Sequence, residues 1–326
     1  MKVTVLGAGA WGTALGLMLE RRLHDVVLWG HDGEHLDEMR RSETNERYLP
    51  GVKLPASWTY EPDLPRAIDG AEAVVVAVPS KAFRGVTAAL KNFSGLAVSV
   101  TKGIEHSTGL TMCGVLGDTA PRARIAALSG PTLALEVARG VPSAIVAASR
   151  DMTVAQSVQE MFHGVTFRVY ASSDLIGVEM GGALKNVVAI AAGVCDGFGF
   201  GDNSKAALLT RGIVEIRRLG MACGAQSETF SGLSGLGDLT VTCFSKLSRN
   251  RSLGERLGRG EKLEDILASS VAVAEGCPTA KSAHALARRS GVSTPIIDEV
   301  HAVLYEGKNV ARALRDLIER ESKAED

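Results

Sequence analysis

The sequence lacks most of the features that would announce a metal centre, a disulfide framework or a nucleic-acid surface. Its five cysteines, Cys113, Cys195, Cys223, Cys243 and Cys277, never stand closer than 20 residues. No CxxC pair or zinc-type cluster results, and an odd, dispersed set fits reduced cytosolic thiols better than disulfides. Neither Cys195 nor Cys243 stands in a nucleophile signature, so both read as inert buried thiols. The histidines, His24, His31, His35, His106, His163, His284 and His301, show no HExxH or other metal spacing, and no metal is expected. No G-x-S-x-G elbow is present. An excess of one charge is missing too. Thirty-six Lys+Arg against 37 Asp+Glu leave −1, which argues against binding nucleic acid by bulk phosphate neutralisation. No run approaches the roughly 18 apolar residues of a membrane span. The stretch from Met1 to Leu19 resembles a signal peptide, but Gly7, Gly9, Gly12 and Gly16 interrupt it and Glu20-Arg21-Arg22 close it, so a folded domain is expected to start there.

What is present is an ordinary apolar fraction, 45% of 326 residues, enough for a large core and suggestive of two domains. Glycine alone is in excess. There are 36, about 11% against a usual ~7%, with no collagen period, which points to tight turns and close backbone contacts. Val3–Leu6, Val26–Trp29, Ala73–Val78, Leu96–Val100, Ile125–Leu128, Ala144–Ala147 and Thr166–Tyr170 read as strands, with helical patterns between most of them. Such alternation predicts a parallel, doubly wound sheet. After Tyr170, Asp174 is a plausible N-cap for a helix reaching about Cys195. Only helical segments follow. The expected architecture is α/β: an N-terminal doubly wound Rossmann-type sheet domain, residues 1–185, followed by an all-α C-terminal domain, residues 186–326.

Gly7-Ala8-Gly9-Ala10-Trp11-Gly12 is G-x-G-x-x-G between a strand and a helix, the context a dinucleotide fingerprint requires. Gly7 permits the turn, Gly9 lets the backbone approach a pyrophosphate, and Gly12 allows close helix–sheet packing. The helix N-terminus then offers free N–H groups to the phosphates. After strand two, Gly30 occupies the place of the acid that would hold a ribose 2′-hydroxyl, and Asp32 comes slightly late. His31 faces either a 2′-phosphate or solvent, so the segment is permissive for NADPH as well as NADH.

Lys102, in Thr101-Lys102-Gly103, follows a strand whose C-terminal end borders the ligand crevice. It reads as a donor to a polarised oxygen or as a solvated lysine. Lys185 is a lone cation in an eleven-residue stretch, Ala183–Gly193, otherwise apolar but for Asn186. Partial burial would lower its pKa toward the range of proton transfer; a snorkelling lysine is the plainer alternative. Asp238, beside Gly235 and Gly237, is placed either to orient Lys185 or to cap a helix. Ser248-Arg249-Asn250-Arg251 suits a phosphate, or is a solvated loop.

Taken in order, these motifs closely resemble bacterial NAD(P)-dependent glycerol-3-phosphate dehydrogenases from Gly7 to about Thr279. The matching segments are GAGAWGTA at Gly7–Ala14, Asn45–Gly51, Thr101–Gly103, Ser129–Thr132, the Lys185 segment, Gly201–Ala207, Gly232–Leu239, Ser248–Arg251 and Val273–Gly276. One departure is Leu133, where the family usually has an aromatic. The resemblance implies reversible hydride transfer between nicotinamide, NAD(H) or NADP(H), and C2 of glycerol 3-phosphate or dihydroxyacetone phosphate, feeding phospholipid synthesis. It implies Lys185 as proton donor and acceptor at the C2 oxygen. Lys102 becomes a donor stabilising that oxygen, and Asp238 a substrate-site acid that also holds Lys185. Gly130, Thr132, Ser248, Arg249 and Asn250 become further substrate contacts. Gly7, Gly9, Ala10, Trp11, Gly12, His31, Lys102, Ala134, Arg249, Val273 and Glu275 become cofactor contacts. The expected setting is the cytoplasm, with a phosphorylated triose as small-molecule partner and a homodimer as the assembly. A β-hydroxyacid or 6-phosphogluconate-type dehydrogenase is the competing enzyme. That group favours G-x-x-x-K-x-x-N, and here Val188 stands where the Asn should be. A non-catalytic dinucleotide sensor is the competing reading from another class.

Overall fold

The computed structural model describes residues 1–269 and 274–321. The N-terminal part alternates: β1 Lys2–Leu6, α1 Ala10–Arg21, β2 Asp25–Trp29, α2 Gly33–Ser42, β3 Thr44–Asn45, β4 Leu49–Lys53, β5 Thr59–Glu61, α3 Leu64–Ile68, β6 Ala73–Val76, α4 Ser80–Thr87, β7 Leu96–Ser99, α5 Met112–Thr119, β8 Arg124–Ser129, α6 Ala134–Ala138, β9 Ser143–Ala148, α7 Met152–Phe162 and β10 Phe167–Ser172. Eight strands form one sheet in the order β10-β9-β8-β7-β6-β1-β2-β5. Wholly buried β6, Ala-Val-Val-Val, lies beside β1, because both faces of the sheet carry helices. Thus Met1–Leu19, the stretch that resembles a signal peptide, forms β1 and most of α1 inside this domain.

The sheet is mixed rather than wholly parallel. β9 runs antiparallel to β8, with Leu128 opposite Ala147. The segment joining them holds only the five-residue α6, which packs toward α1 instead of crossing the sheet. β3, β4 and β5 lie outside the strand pattern read from the sequence. β4 carries Pro50 and Gly51, poor strand formers, and β5 is a three-residue edge with only Tyr60 buried.

The second part is helical: α8 Leu175–Gly197, α9 Asp202–Ala222, α10 Asp238–Phe244, α11 Arg249–Gly258, α12 Leu263–Ala268, α13 Gly276–Arg289, α14 Pro295–Tyr305 and α15 Val310–Ile318. Asp174 does cap α8, its carboxylate accepting from Gly177 N–H at 2.9 Å. By length and composition α8 could cross a membrane, a match the residue runs did not suggest. Yet 89% of its most apolar window is buried inside the protein, where it forms the spine of the helical core. Glycines bring α11 backbone to backbone with α8: a Cβ at Gly254 would stand 1.9 Å from the Ile190 carbonyl oxygen.

Candidate active site

The crevice opens where the strand order reverses, between β1 and β6. Gly7 there has φ +129°, and a Cβ on it would meet the Ala77 carbonyl oxygen at 2.6 Å; one on Gly12 would meet that of Gly7 at 1.9 Å. Side chains at either position would break the turn. Gly9 is different, since nothing lies within 4 Å of the position its Cβ would take. No side chain caps α1, and its first turn holds no acid. The amides of Ala10, Trp11 and Gly12 therefore remain available to an anion, and the turn fits a pyrophosphate. His31 is exposed just past β2. Asp32 is already engaged: it caps α2 through His35 N–H at 3.0 Å and takes Arg47 at 3.2 Å, which holds its carboxyl below the usual range.

At the C-terminal ends of β7 and β8 the lysines converge on one carboxylate. Lys102 Nζ donates to Asp238 Oδ2 at 2.5 Å and to the Gly130 carbonyl at 3.0 Å. Lys185 Nζ stands 2.8 Å from Asp238 Oδ1 and donates to Thr242 Oγ1 at 2.5 Å. Thr242 in turn donates to the Asp238 carbonyl at 2.6 Å. The neighbouring residues explain how this cluster assembles. A Cβ at Gly181 would stand 2.5 Å from the Ser234 carbonyl oxygen, so α8 packs directly on the π-helical turn Leu233–Gly237 that delivers Asp238. Gly182 leaves room for the Lys102 stem, whose Cγ would lie 3.4 Å from an added Cβ.

Asp238 is 1% exposed and Lys185 7%. A carboxylate at that depth needs compensating charge, and here two ammonium groups supply it. Burial drives the Lys185 pKa down to about 8, Lys102 pushes the same way, and Asp238 resists. The result is an amine whose proton is exchangeable near neutrality.

A second polar chain borders the first. Asn250 Nδ2 donates to Asn186 Oδ1 at 2.9 Å, and Gly276 N–H donates to Asn250 Oδ1 at 2.9 Å. Ser248 caps α11 by accepting from Arg251 N–H at 3.2 Å. Arg249 is exposed at the head of that helix and makes no hydrogen bond or ion pair among the described residues. Crowding by the surrounding chain lowers its pKa, and the charge of Glu275 opposes this. Glu275 reaches across to the sheet domain, accepting from Ser80 N–H at 3.1 Å and Ser80 Oγ at 2.6 Å.

Of the residues singled out in the sequence, Lys102, Gly130, Lys185 and Asp238 meet directly, and Thr132 Oγ1 joins them through the Gly130 carbonyl at 3.2 Å. Asn250 and Ser248 are buried, and Asn250 bonds to Asn186, the residue after Lys185. Trp11, His31 and Ala134 make no hydrogen bond or ion pair to these lysines, and Val273 lies outside the described residues. Thr242, Asn186 and Ser80 were not singled out as site residues. Thr242 carried a legible signal, because it follows Asp238 by one helical turn and so shares its face.

Residues 2–155 match the family model described as NAD-dependent glycerol-3-phosphate dehydrogenase N-terminus, and residues 174–315 match the one for its C-terminus. The chain belongs to the NAD-dependent glycerol-3-phosphate dehydrogenase family. It is 46% identical to a glycerol-3-phosphate dehydrogenase [NAD(P)+] of Syntrophotalea carbinolica, covering 100% of this chain and 99% of that protein. The protein of that name from Geobacter sulfurreducens is also 46% identical, over 99% of this chain and 98% of its own. Among solved structures, the glycerol-3-phosphate dehydrogenase of Coxiella burnetii superposes with a TM-score of 0.94 at 37% identity, covering 98% and 99% of the two chains. D-mandelate dehydrogenase in complex with NADH and anilino(oxo)acetate shares the fold alone, with a TM-score of 0.64 at 12% identity and 96% and 99% coverage.

Proposed function

We propose that this chain catalyses reversible hydride transfer between NAD(H) or NADP(H) and C2 of sn-glycerol 3-phosphate or dihydroxyacetone phosphate, supplying glycerol 3-phosphate for phospholipid synthesis. The observation that carries this reading is Asp238 held between Lys102 and Lys185 beside a crevice that fits a dinucleotide. The coenzyme, when bound, supplies or accepts the hydride. Gly7, Gly9, Ala10, Trp11 and Gly12 form the turn for its pyrophosphate. His31, Lys102, Ala134, Arg249, Val273 and Glu275 are assigned as further coenzyme contacts.

In ketone reduction the Lys185 ammonium gives its proton to the C2 oxygen; in alcohol oxidation the neutral amine takes it back. Its lowered pKa makes both directions accessible near neutral pH. Lys102 donates a hydrogen bond to the same oxygen as negative charge grows there. Asp238 keeps both amines near one point and compensates their charge. Gly130, Thr132, Ser248 and Asn250 line the substrate side, and the guanidinium of Arg249 takes the phosphate.

We place the division between the coenzyme and substrate domains at residues 185–186, the protein in the cytoplasm, and its assembly as a homodimer. A β-hydroxyacid dehydrogenase would not need an Arg249-type phosphate group, a 6-phosphogluconate-type enzyme favours an Asn where Val188 stands, and a sensor would not need the lysine pair. Purified protein is expected to oxidise NADH or NADPH with dihydroxyacetone phosphate and not with unphosphorylated dihydroxyacetone. Equal rates with both ketones would overturn the phosphate assignment, and no oxidation by folded, coenzyme-binding protein would overturn the activity.

A further inference from the structure

Far along α13 from its Glu275 end, two histidines from different helices stack face to face. The rings of His284 on α13 and His301 on α14 are 4.0 Å apart at an interplanar angle of 6°. One ring nitrogen of each and a carboxylate oxygen of Glu306 lie within 4.8 Å of one another. Asp298 Oδ1 sits 2.8 Å from His284 Nδ1, the arrangement that fixes a ring and leaves its other nitrogen as a ligand. The His301 Nδ1 is buried and pairs with Glu306 Oε1 at 3.2 Å.

We propose that His284, His301 and Glu306 form a binding site for a borderline divalent transition metal such as Zn2+, with Asp298 orienting His284. Two imidazoles and one carboxylate suit Zn2+, Ni2+ or Cu2+ rather than Mg2+ or Ca2+, which prefer all-oxygen sets. Donors bound at about 2.0–2.2 Å in a tetrahedral set stand about 3.3–3.6 Å apart. The in-plane lone pairs of two parallel rings cannot meet at one ion, so binding requires the His301 ring to turn out of the stack. Glu306 can follow it, because its side chain is 57% exposed and lies just past the end of α14. The remaining coordination positions would go to water, as in sites with three protein ligands.

The metal would clamp α13 to the end of α14, where Tyr305 O–H already donates to the Cys277 carbonyl at 2.8 Å. The first residue of α13, Gly276, is the one that donates to Asn250, so the clamp would stiffen a helix rooted in the candidate active site. Spacing rules could not reveal this site, because the two histidines come from separate helices rather than adjacent turns of one.

The test is calorimetric titration of the chelator-treated full-length protein with Zn2+ alone, for the native chain and for Glu306→Gln and His301→Gln. Glu306→Gln changes an exposed side chain and leaves the core intact. The expected result is one equivalent bound per chain, an affinity at least about tenfold weaker in Glu306→Gln, and a larger loss in His301→Gln. Co2+ bound at the same site should show ligand-field bands without thiolate charge transfer. Absence of saturable binding, equal affinity in the native chain and both variants, or thiolate bands placing the metal on cysteine would each overturn the proposal.

Discussion

Replacing Asp238 with Asn should move the working pH of the enzyme rather than merely weaken it. The carboxylate stands 2.8 Å from Lys185 Nζ and 2.5 Å from Lys102 Nζ. Two unit charges about 4 Å apart interact by about 4 kcal/mol at an effective dielectric constant of about 20. At 1.36 kcal/mol per unit, that is roughly three pK units. Lys185 starts from about 8. In Asp238→Asn it would fall to about 5, because burial and Lys102 then act unopposed. At pH 7 only about one molecule in a hundred would carry the ammonium, so ketone reduction should drop about 10²-fold. The assay is kcat for dihydroxyacetone phosphate reduction between pH 5 and 9, with coenzyme binding and thermal melting as controls. The alkaline limb, near 8 in the native chain, should move to near 5, and acid conditions should partly restore the rate. An unmoved limb in a folded, coenzyme-binding variant would refute the reasoning.

Arg249→Ala should raise KM for the phosphorylated substrate at least about tenfold with a smaller effect on kcat, since charge-assisted hydrogen bonds contribute about 1.5–3 kcal/mol. An unchanged KM, measured by initial rates, would remove Arg249 from the phosphate. Gly9→Ala should fold normally and bind coenzyme weakly, because its Cβ enters open space over the turn; Gly12→Ala should lose stability as well, because its Cβ would strike the Gly7 carbonyl oxygen. Equal melting temperatures for the two variants would contradict this distinction. Buried Glu215 accepts from Ile296 and Ile297 N–H at the start of α14, and burial pushes its pKa up to about 7 from 4.5. The folded chain therefore holds this proton through a window where the unfolded chain has released it, and stability falls as pH rises from about 4.5 to about 7. Glu215→Gln should remove that slope and be more stable above pH 7 by up to about 3 kcal/mol, and parallel stability curves for variant and native chain would count against it.

Much of the site was legible because its residues violate their surroundings. Lys185 is a cation in an apolar helix, and the glycines after β1 sit where a strand turns into a helix. The strands that could be read were the apolar runs of the sheet interior. Those that could not, β3 to β5, are short edge pieces whose pairing depends on tertiary contacts. The reversal of β9 was hidden for a related reason: direction is set by how the connection packs, not by the strand's own residues. The convergence of Lys102 and Lys185 on Asp238 spans 136 residues of sequence, and no local spacing encodes it. Asn186 is an ordinary polar residue on a helix until Asn250, 64 residues away, is placed against it.

The proton role of Lys185 is most directly tested by measuring Lys185→Ala for coenzyme binding and for turnover with dihydroxyacetone phosphate in the same preparation. The account predicts coenzyme affinity close to that of the native chain and kcat lower by at least about 10²-fold, the low end of what a general acid supplies. Turnover near the native rate, from protein that binds coenzyme normally, would contradict it.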